Sequence, residues 1–445
     1  MIRILVETIR GVEPGLRKRM TRGAVWSIAG AGIASGCTMF GNIIAARVLG
    51  AAIFGQMAIV LSTTNLFTSL FTAGMGMTAT RYVAEHRDSD RRRAGAVVGL
   101  SWLTSIAVGA AAAILVIALA PLLSRQVLGE PSLAVPLSLG AAAMFFASLN
   151  GSQVGTLSGF EAFRQVAIGN LVRGIGIVAL VAGGAVANGL KGALAGYAAA
   201  GAITTVYYQI AVRRACAANG IGISYRFHRD DWKVLLHFTL PVLISTFSFT
   251  PAAWWSNVLL ATRSGFAEAG VFNAVLHWQL FILFFSTAVS NIGLPMLSNI
   301  RAERDPAKYR RCLAMTFLLT LAPAVAIAIP VSIFAPWILK MYGREFVHGS
   351  TALVLISAAS ILTALNIPVG HAIWSLDATR AAVVLALLRG VMLVIPAYFL
   401  AGKAAAGLAE AYLIMAIIQT AVSIPYTMWL LRTAVVPERV EAALA

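Results

Sequence analysis

Twelve long apolar stretches constrain the fold of this chain more than any other feature of its sequence. A helix needs about 20 mostly apolar residues, at ~1.5 Å rise per residue, to cross a ~30 Å hydrocarbon core. The stretches run roughly 24–46, 52–78, 94–122, 133–158, 165–188, 190–212, 234–260, 267–297, 313–340, 350–374, 378–401 and 406–432. The sequence therefore predicts an all-α polytopic membrane protein with about twelve transmembrane helices.

The composition agrees with this prediction and excludes other classes. The 445 residues are 59% hydrophobic and 11% charged, with a mean hydropathy of +0.83, which is far from ordinary globular composition. Long Ala, Val, Leu and Ile runs take the place of the weak alternating strands of an outer-membrane barrel. The longest polar connection is about twenty residues, 213–233, so we expect no catalytic domain outside the membrane.

Basic residues lie mainly on one side of the predicted bundle. With a cytoplasmic amino terminus, the cytoplasmic segments hold 25 Lys and Arg and the opposite side holds 7. This bias predicts both termini in the cytoplasm. We therefore attribute the net charge of +17 to loops that face anionic lipids, and expect no nucleic acid partner.

The second half of the chain repeats features of the first. RQVAIGNLVRG from Arg164 parallels TRAAVVLALLRG, and LAGYAAAGAI from Leu194 parallels LAEAYLIMAI from Leu408. An even number of helices in each copy gives both copies the same orientation in the membrane. The predicted organisation is a basic segment at 1–23, a six-helix bundle at 24–212, a linker at 213–233, a second bundle at 234–432 and a tail at 433–445, with the bundles pseudo-symmetric around a central cavity.

Two arginines lie deep in apolar stretches at matched positions of the two halves. Arg173 and Arg389 each follow another arginine by nine residues, or ~13.5 Å of helix, which predicts a location near the membrane midplane. An arginine at that depth costs ~2.5–3.5 kcal/mol and is tolerated where it faces water or a partner. Because the carboxylates lie in loops or near helix ends, we predict an electropositive cavity suited to an anionic substrate.

Further polar residues at membrane depth are candidates for the same cavity. Asn257, Asn273, His277, Trp278 and Gln279 are predicted to contact substrate, against the alternative that they form hydrogen bonds between helices. Residues that bend helices are predicted as hinges at Gly36, Pro241 and Pro251.

No chemistry beyond binding is evident in the sequence. Three cysteines without close spacing give no disulfide framework or metal motif, and no nucleophile with a base or phosphate loop is present. We therefore expect no cofactor, no metal and no enzymatic activity.

The chain resembles the Wzx-type polysaccharide-repeat flippases of the multidrug/oligosaccharidyl-lipid/polysaccharide exporter superfamily. The similarity extends across most of residues 20–432. Its clearest marks are NIIAARVLGAAIFGQMAIVLS (42–62), AGMGMTATRYVAE (73–85), LLHFTLPVLISTFSF (235–249), EAGVFNAV (268–275), NIGLPMLSNI (291–300) and FAPWILKMYGREF (334–346).

The resemblance implies transport by alternating access in the bacterial cytoplasmic (inner) membrane. The cargo would be an oligosaccharide on polyprenyl pyrophosphate, made inside and delivered outside for O-antigen, capsule or exopolysaccharide synthesis. Membrane lipids, a polysaccharide polymerase and the chain-length machinery are the other partners that it implies.

Three alternatives remain open at this point. A multidrug exporter of the same superfamily usually carries an acidic residue in its first or seventh helix, and those stretches have none here. A lipid II flippase commonly has more than twelve helices. A membrane polysaccharide polymerase or ligase would ordinarily need a sizeable outer loop for its active site.

Overall fold

The fold consists of long helices joined by short turns, as the twelve apolar stretches predict. The computed structural model describes residues 14–72, 75–225, 249–302, 306–376 and 378–434. These residues divide into two compact units, an N-terminal unit that ends at Thr250 and a C-terminal unit that begins at Pro251. The linker predicted at 213–233 lies partly outside the described residues, and the predicted domain boundaries stay predictions.

The described part of the N-terminal unit contains six α-helices. They are α1 (Pro14–Thr72), α2 (Met75–His86), α3 (Arg91–Leu122), α4 (Ala134–Gly159), α5 (Phe163–Gly176) and α6 (Ala182–Ala218). A π-helical turn, Ile177–Val181, joins α5 to α6. Helix α4 packs against α2, α3 and α6, and α1 packs mainly against α5.

The described C-terminal unit contains seven α-helices. They are α7 (Thr250–Ser264), α8 (Phe266–Ala302), α9 (Pro306–Ile333), α10 (Ala335–Tyr342), α11 (Ser350–Ser375), α12 (Thr379–Leu400) and α13 (Ala404–Ala434). Helix α11 packs against α8, α9 and α13, and α12 packs against α13.

Eight stretches of the described residues are long and apolar enough to cross a membrane, and three of them are long enough to cross twice. Each of these three contains a backbone break, at Gly50 (φ 75°), at Asn188 and Gly189 (φ 53°), and at Ala404 (φ 64°). The breaks fall in the gaps predicted between apolar stretches. The chain is therefore a multi-pass membrane protein, and α7 is the described part of the predicted stretch 234–260.

Within the predicted stretch 52–78, α1 is described to Thr72 and α2 from Met75. One predicted stretch differs from the observed helices. The stretch 313–340 begins seven residues earlier, at Pro306, and ends at Ile333. A new short helix follows, because Pro336 stands in its first turn, where a proline costs no hydrogen bond.

Backbone breaks recur at corresponding places of the two units. Gly50 corresponds to Gly265 (φ 93°), and Gly189 corresponds to Ala404. In each pair the second residue lies 215 positions after the first. The internal repeat predicted from sequence is thus present in the backbone conformation of the turns.

An arginine also caps the same helix end in each unit. The Arg87 Nη1 donates to the carbonyl oxygen of Gly159, the last residue of α4, at 3.0 Å. The Arg301 Nη1 donates to the carbonyl oxygen of Ser375, the last residue of α11, at 2.6 Å. A cation at a helix carboxyl end satisfies orphan carbonyls and the helix dipole.

Glycines at four-residue spacing make the contact between α2 and α4 unusually close. Gly151, Gly155 and Gly159 lie on one face of α4. A Cβ at Gly155 would lie 2.1 Å from the carbonyl oxygen of Gly76 in α2. Small residues at this spacing allow membrane helices to approach backbone to backbone, so we call Gly76, Gly151, Gly155 and Gly159 the glycine seam.

Candidate functional site

Arg173 lies on a cavity inside the N-terminal unit. It is the eleventh residue of α5 and lies one turn before the π-helical turn that begins at Ile177, so it stands in the middle part of its membrane crossing. Its side chain is exposed on a cavity of about 180 Å³. The cavity is lined by Leu61, Thr64, Asn65, Thr68, Ala143, Met144, Ala147, Asn150, Arg173, Ile177, Tyr197, Ala200 and Gly201.

The cavity combines one positive charge with neutral hydrogen-bonding groups. Tyr197 is close enough to Arg173 to interact with it electrostatically, and its hydroxyl donates to Asn42 Oδ1 at 2.8 Å. Thr205 donates to Asn150 Oδ1 at 2.9 Å. No Asp or Glu lines the cavity. Among the described residues, no carboxylate forms an ion pair with Arg173, which leaves the cavity electropositive.

The C-terminal unit contains the same four residue types at nearly the same spacing. Arg389 is the eleventh residue of α12, and it interacts electrostatically with Tyr412 of α13. Asn366 of α11 donates from Nδ2 to Thr420 Oγ1 at 2.7 Å and accepts at Oδ1 from Ser423 at 2.5 Å. We call each set the Asn-Arg-Tyr-Thr quartet: Asn150, Arg173, Tyr197 and Thr205 in one unit, and Asn366, Arg389, Tyr412 and Thr420 in the other.

Spacing was the signal that could have identified the quartets from sequence. In both halves the asparagine precedes the arginine by 23 residues, and the tyrosine precedes the threonine by 8. The two arginines were predicted from their charge, whereas Asn42, Asn150, Tyr197 and Tyr412 were not predicted. Aligning LAGY with LAEAY at their leucines does not align the two tyrosines, because the second half has one more residue between leucine and tyrosine.

Three of the predicted polar residues come together between α7 and α8. Asn273 Nδ2 donates to Asn257 Oδ1 at 3.2 Å, and His277 Nδ1 lies 2.7 Å from the Asn273 carbonyl oxygen. Trp278 and Gln279 follow at ~100° per residue and so face other directions than Asn273. The Trp278 ring packs edge-on against Phe281, with centroids 5.7 Å apart. Contact of all five with substrate stays a prediction.

The predicted hinges are located as follows. Gly36 lies within α1, whose non-helical backbone angles occur at Gly50. Pro251 is in the first turn of α7, and Pro241 lies outside the described residues. Hinge roles for all three stay predictions, as does a single cavity shared by Arg173 and Arg389.

The fold is similar to that of known membrane transporters. It is similar to an inward-facing multidrug resistance MATE family transporter of the MOP superfamily, at 16% identity and a TM-score of 0.73, over 92% of this chain and 99% of that one. It is also similar to a MOP superfamily transporter from Pyrococcus furiosus, described as having a binding pocket of reverse polarity, at 16% identity and a TM-score of 0.65, over 94% and 96%. At this identity the likeness shows the fold, which is that of MOP superfamily transporters.

The family follows from the sequence. The model of the polysaccharide biosynthesis protein family matches residues 20–301, more than half of the chain. The protein therefore belongs to the polysaccharide biosynthesis protein family. No curated protein sequence matches the chain.

Proposed function

We propose that this protein is a flippase for a polyprenyl-pyrophosphate-linked oligosaccharide. It would receive the lipid-linked unit on the cytoplasmic face of the bacterial inner membrane and release it outside, by alternating access. The family match and the transporter fold support a membrane exporter. The choice of cargo depends on the chemistry of the Arg173 cavity.

The observation that carries the proposal is an arginine in mid-membrane on a cavity that no carboxylate lines. Arginine binds a phosphate group in a planar, bidentate geometry, with two parallel N–H···O hydrogen bonds. A pyrophosphate offers the oxygen acceptors that this geometry needs. Oxygen and nitrogen groups of Asn65, Asn150 and Tyr197 supply hydrogen bonds for a polar headgroup. The prenyl chain needs no site of its own, because the apolar outer helix faces are compatible with lipid.

Translocation makes and breaks no covalent bond, so the proposed activity is not enzymatic. The protein has only to offer the headgroup a polar environment that replaces water while it crosses the hydrocarbon core. Burying an unpaired charge there is costly, and a fixed positive charge in the cavity lowers that cost. Both termini would be cytoplasmic, with the basic loops against anionic lipid.

The test is the polyprenyl-linked lipid pool of a strain that lacks this protein. Lipids would be extracted and identified by mass spectrometry beside the wild type and a complemented strain. We expect one complete oligosaccharide unit to accumulate and the surface polymer to disappear. An unchanged lipid pool with altered drug sensitivity would instead favour a multidrug exporter of the same fold.

A variant of Arg173 connects this activity to the proposed site. Arg173→Ala should insert normally and lower export in the complemented strain. Normal export by a well-expressed Arg173→Ala variant would contradict the role of this residue and leave the family assignment intact.

A cysteine placed at 173 tests exposure to water. In a background without Cys37, Cys216 and Cys312, we expect it to react with a water-soluble thiol reagent. Complete protection would indicate dry packing in place of a wet cavity.

A further inference from the structure

The two Asn-Arg-Tyr-Thr quartets have the same residues, but their surroundings differ in a way that separates their roles. Residues 215 or 216 positions apart correspond in the two units, as the backbone breaks and the quartets show. The surroundings of the first quartet can therefore be compared with those of the second, position by position.

The wall that α1 gives to the Arg173 cavity is polar, and its counterpart on α8 is largely apolar. Thr64, Asn65 and Thr68 line the cavity. Their counterparts are Gln279, Leu280 and Leu283. Two of the three polar side chains have thus become leucines, which offer an anion no hydrogen bonds.

The wall from the sixth helix of the repeat is also larger in the C-terminal unit. Ala200 and Gly201 line the Arg173 cavity, and Met415 and Ala416 take their places, both buried at 2% and 1% exposure. On the facing helix Ser360 takes the place of Met144, so in the C-terminal unit the methionine belongs to the opposite helix. Ala416 in place of Gly201 and Thr363 in place of Ala147 still add side-chain volume.

The asparagines of the two quartets also have different hydrogen-bonding states. Asn366 is engaged at both ends of its amide, by Thr420, Ser423 and the Leu362 carbonyl oxygen. Asn150 accepts from Thr205 at its oxygen, and this bond does not occupy its N–H donors. In the second quartet the asparagine and the threonine are hydrogen-bonded within the protein, whereas the first quartet lines a cavity.

From these differences we infer that the chain has one anion site, in the N-terminal unit. The Arg173 cavity binds a single phosphate-class group, with Tyr197 as the residue that positions the guanidinium. Arg389 and Tyr412 form the structural counterpart and bind no ligand. The volume of about 180 Å³ accommodates a phosphate group and is below the roughly 300–1,000 Å³ of pockets for drug-sized ligands.

The inference of one anion site rests on the proposed function only for the source of the phosphate group. If the protein is a flippase for a lipid-linked oligosaccharide, the group belongs to a lipid pyrophosphate. If it is not, the group is a free anion. Isothermal titration of the full-length protein in detergent measures the site directly, with inorganic pyrophosphate and farnesyl pyrophosphate as probes. Tighter binding of farnesyl pyrophosphate would assign the site to a lipid, and equal binding would assign it to a free anion. Both results support a phosphate-class site.

The expected result is one equivalent bound per chain. Arg173→Gln should weaken binding roughly tenfold to a hundredfold, the range for losing a charged hydrogen-bond partner, and Arg389→Gln should leave the affinity unchanged. Arg164→Gln is the matched control, because Arg164 lies nine residues earlier on α5 and stacks over the Trp26 ring at 5.9 Å.

The tyrosines give a second, milder pair of variants should Arg389→Gln fail to fold. Tyr197→Phe should weaken binding and Tyr412→Phe should not. Two equivalents per chain, one lost with each arginine, would overturn the inference. So would equal weakening by the two variants of either pair, or binding of glucuronate in preference to both pyrophosphates. Binding without export in the lipid assay would instead reject the proposed function and leave the site standing.

Discussion

Ala404 is held in a backbone conformation that favours glycine, and Ala404→Gly should therefore stabilise the C-terminal unit. Its φ of 64° and ψ of −160° belong to a region that costs a residue with a Cβ on the order of 1–3 kcal/mol. Glycine removes that strain, but its greater chain entropy stabilises the unfolded state by about 0.4–1 kcal/mol. The free energy of unfolding should therefore be higher in the variant by about 1 kcal/mol.

The surroundings explain why the strained conformation persists at this position. The next backbone amide, Ala405 N–H, donates to Glu268 Oε2 at 3.0 Å, and Ser264 Oγ donates to the Ala401 carbonyl oxygen at 2.7 Å. These bonds fix the turn on either side of Ala404. Because Ala404→Gly alters neither bond, its effects are limited to backbone strain and to the chain entropy of the unfolded state.

The assay is thermal unfolding of the purified protein in detergent, followed by tryptophan fluorescence. A gain of about 1 kcal/mol corresponds to a rise in Tm of ~2–4 °C for a unit of this size. Gly189→Ala changes the corresponding turn of the N-terminal unit, where φ is 53°, and should lower Tm. Gly402→Ala, which has open space for a Cβ, is the neutral control. A Tm for Ala404→Gly at or below that of the wild type would refute the reasoning.

Three further predictions concern packing and helix ends, with the same unfolding assay as the measurement. Gly155→Ala should destabilise by about 1–3 kcal/mol, because its Cβ would overlap the Gly76 carbonyl oxygen, whereas Gly151→Ala has open space and should be neutral; equal effects would contradict the seam. Arg87→Ala and Arg301→Ala should each cost about 1–3 kcal/mol for the lost charged hydrogen bond, and a Tm unchanged in both would show that the caps contribute nothing. Asn366→Ala should cost about 1–3 kcal/mol by leaving the buried Ser423 hydroxyl without its acceptor, and a smaller loss than for a solvent-facing serine such as Ser89→Ala would contradict that account.

The helices were predictable from sequence because hydrocarbon thickness sets their length. Apolar stretches separated by short gaps place the turns near Gly50, Gly189 and Ala404, and each turn is found there. The short helix α10 was not predictable from hydropathy, because the apolar stretch continues through Phe334 while the backbone does not. Proline at its first turn was the local signal.

The candidate site was predictable only in part. An arginine in an apolar helix is conspicuous, so Arg173 and Arg389 could be identified by charge alone. Tyrosine, threonine and asparagine are common in such helices, and their role depends on which helix faces they occupy. The difference between the quartets lies in uncharged residues, such as Asn65 against Leu280 and Gly201 against Ala416. Their meaning depends on which helix face lines the cavity, and the sequence alone does not give that face.

The glycine seam has a consequence for how the N-terminal unit opens to solvent. Backbones in direct contact leave no room for water between α2 and α4, and Thr80 Oγ1 links the two helices by bonding the Gly76 and Gly155 carbonyl oxygens. Amide hydrogens along this contact can exchange with deuterium only when the helices separate, which requires the opening of a cooperative unit. The slowest exchange in the N-terminal half should therefore mark α2 and the carboxyl end of α4, and the faster exchange of neighbouring segments would outline the parts that remain free to move.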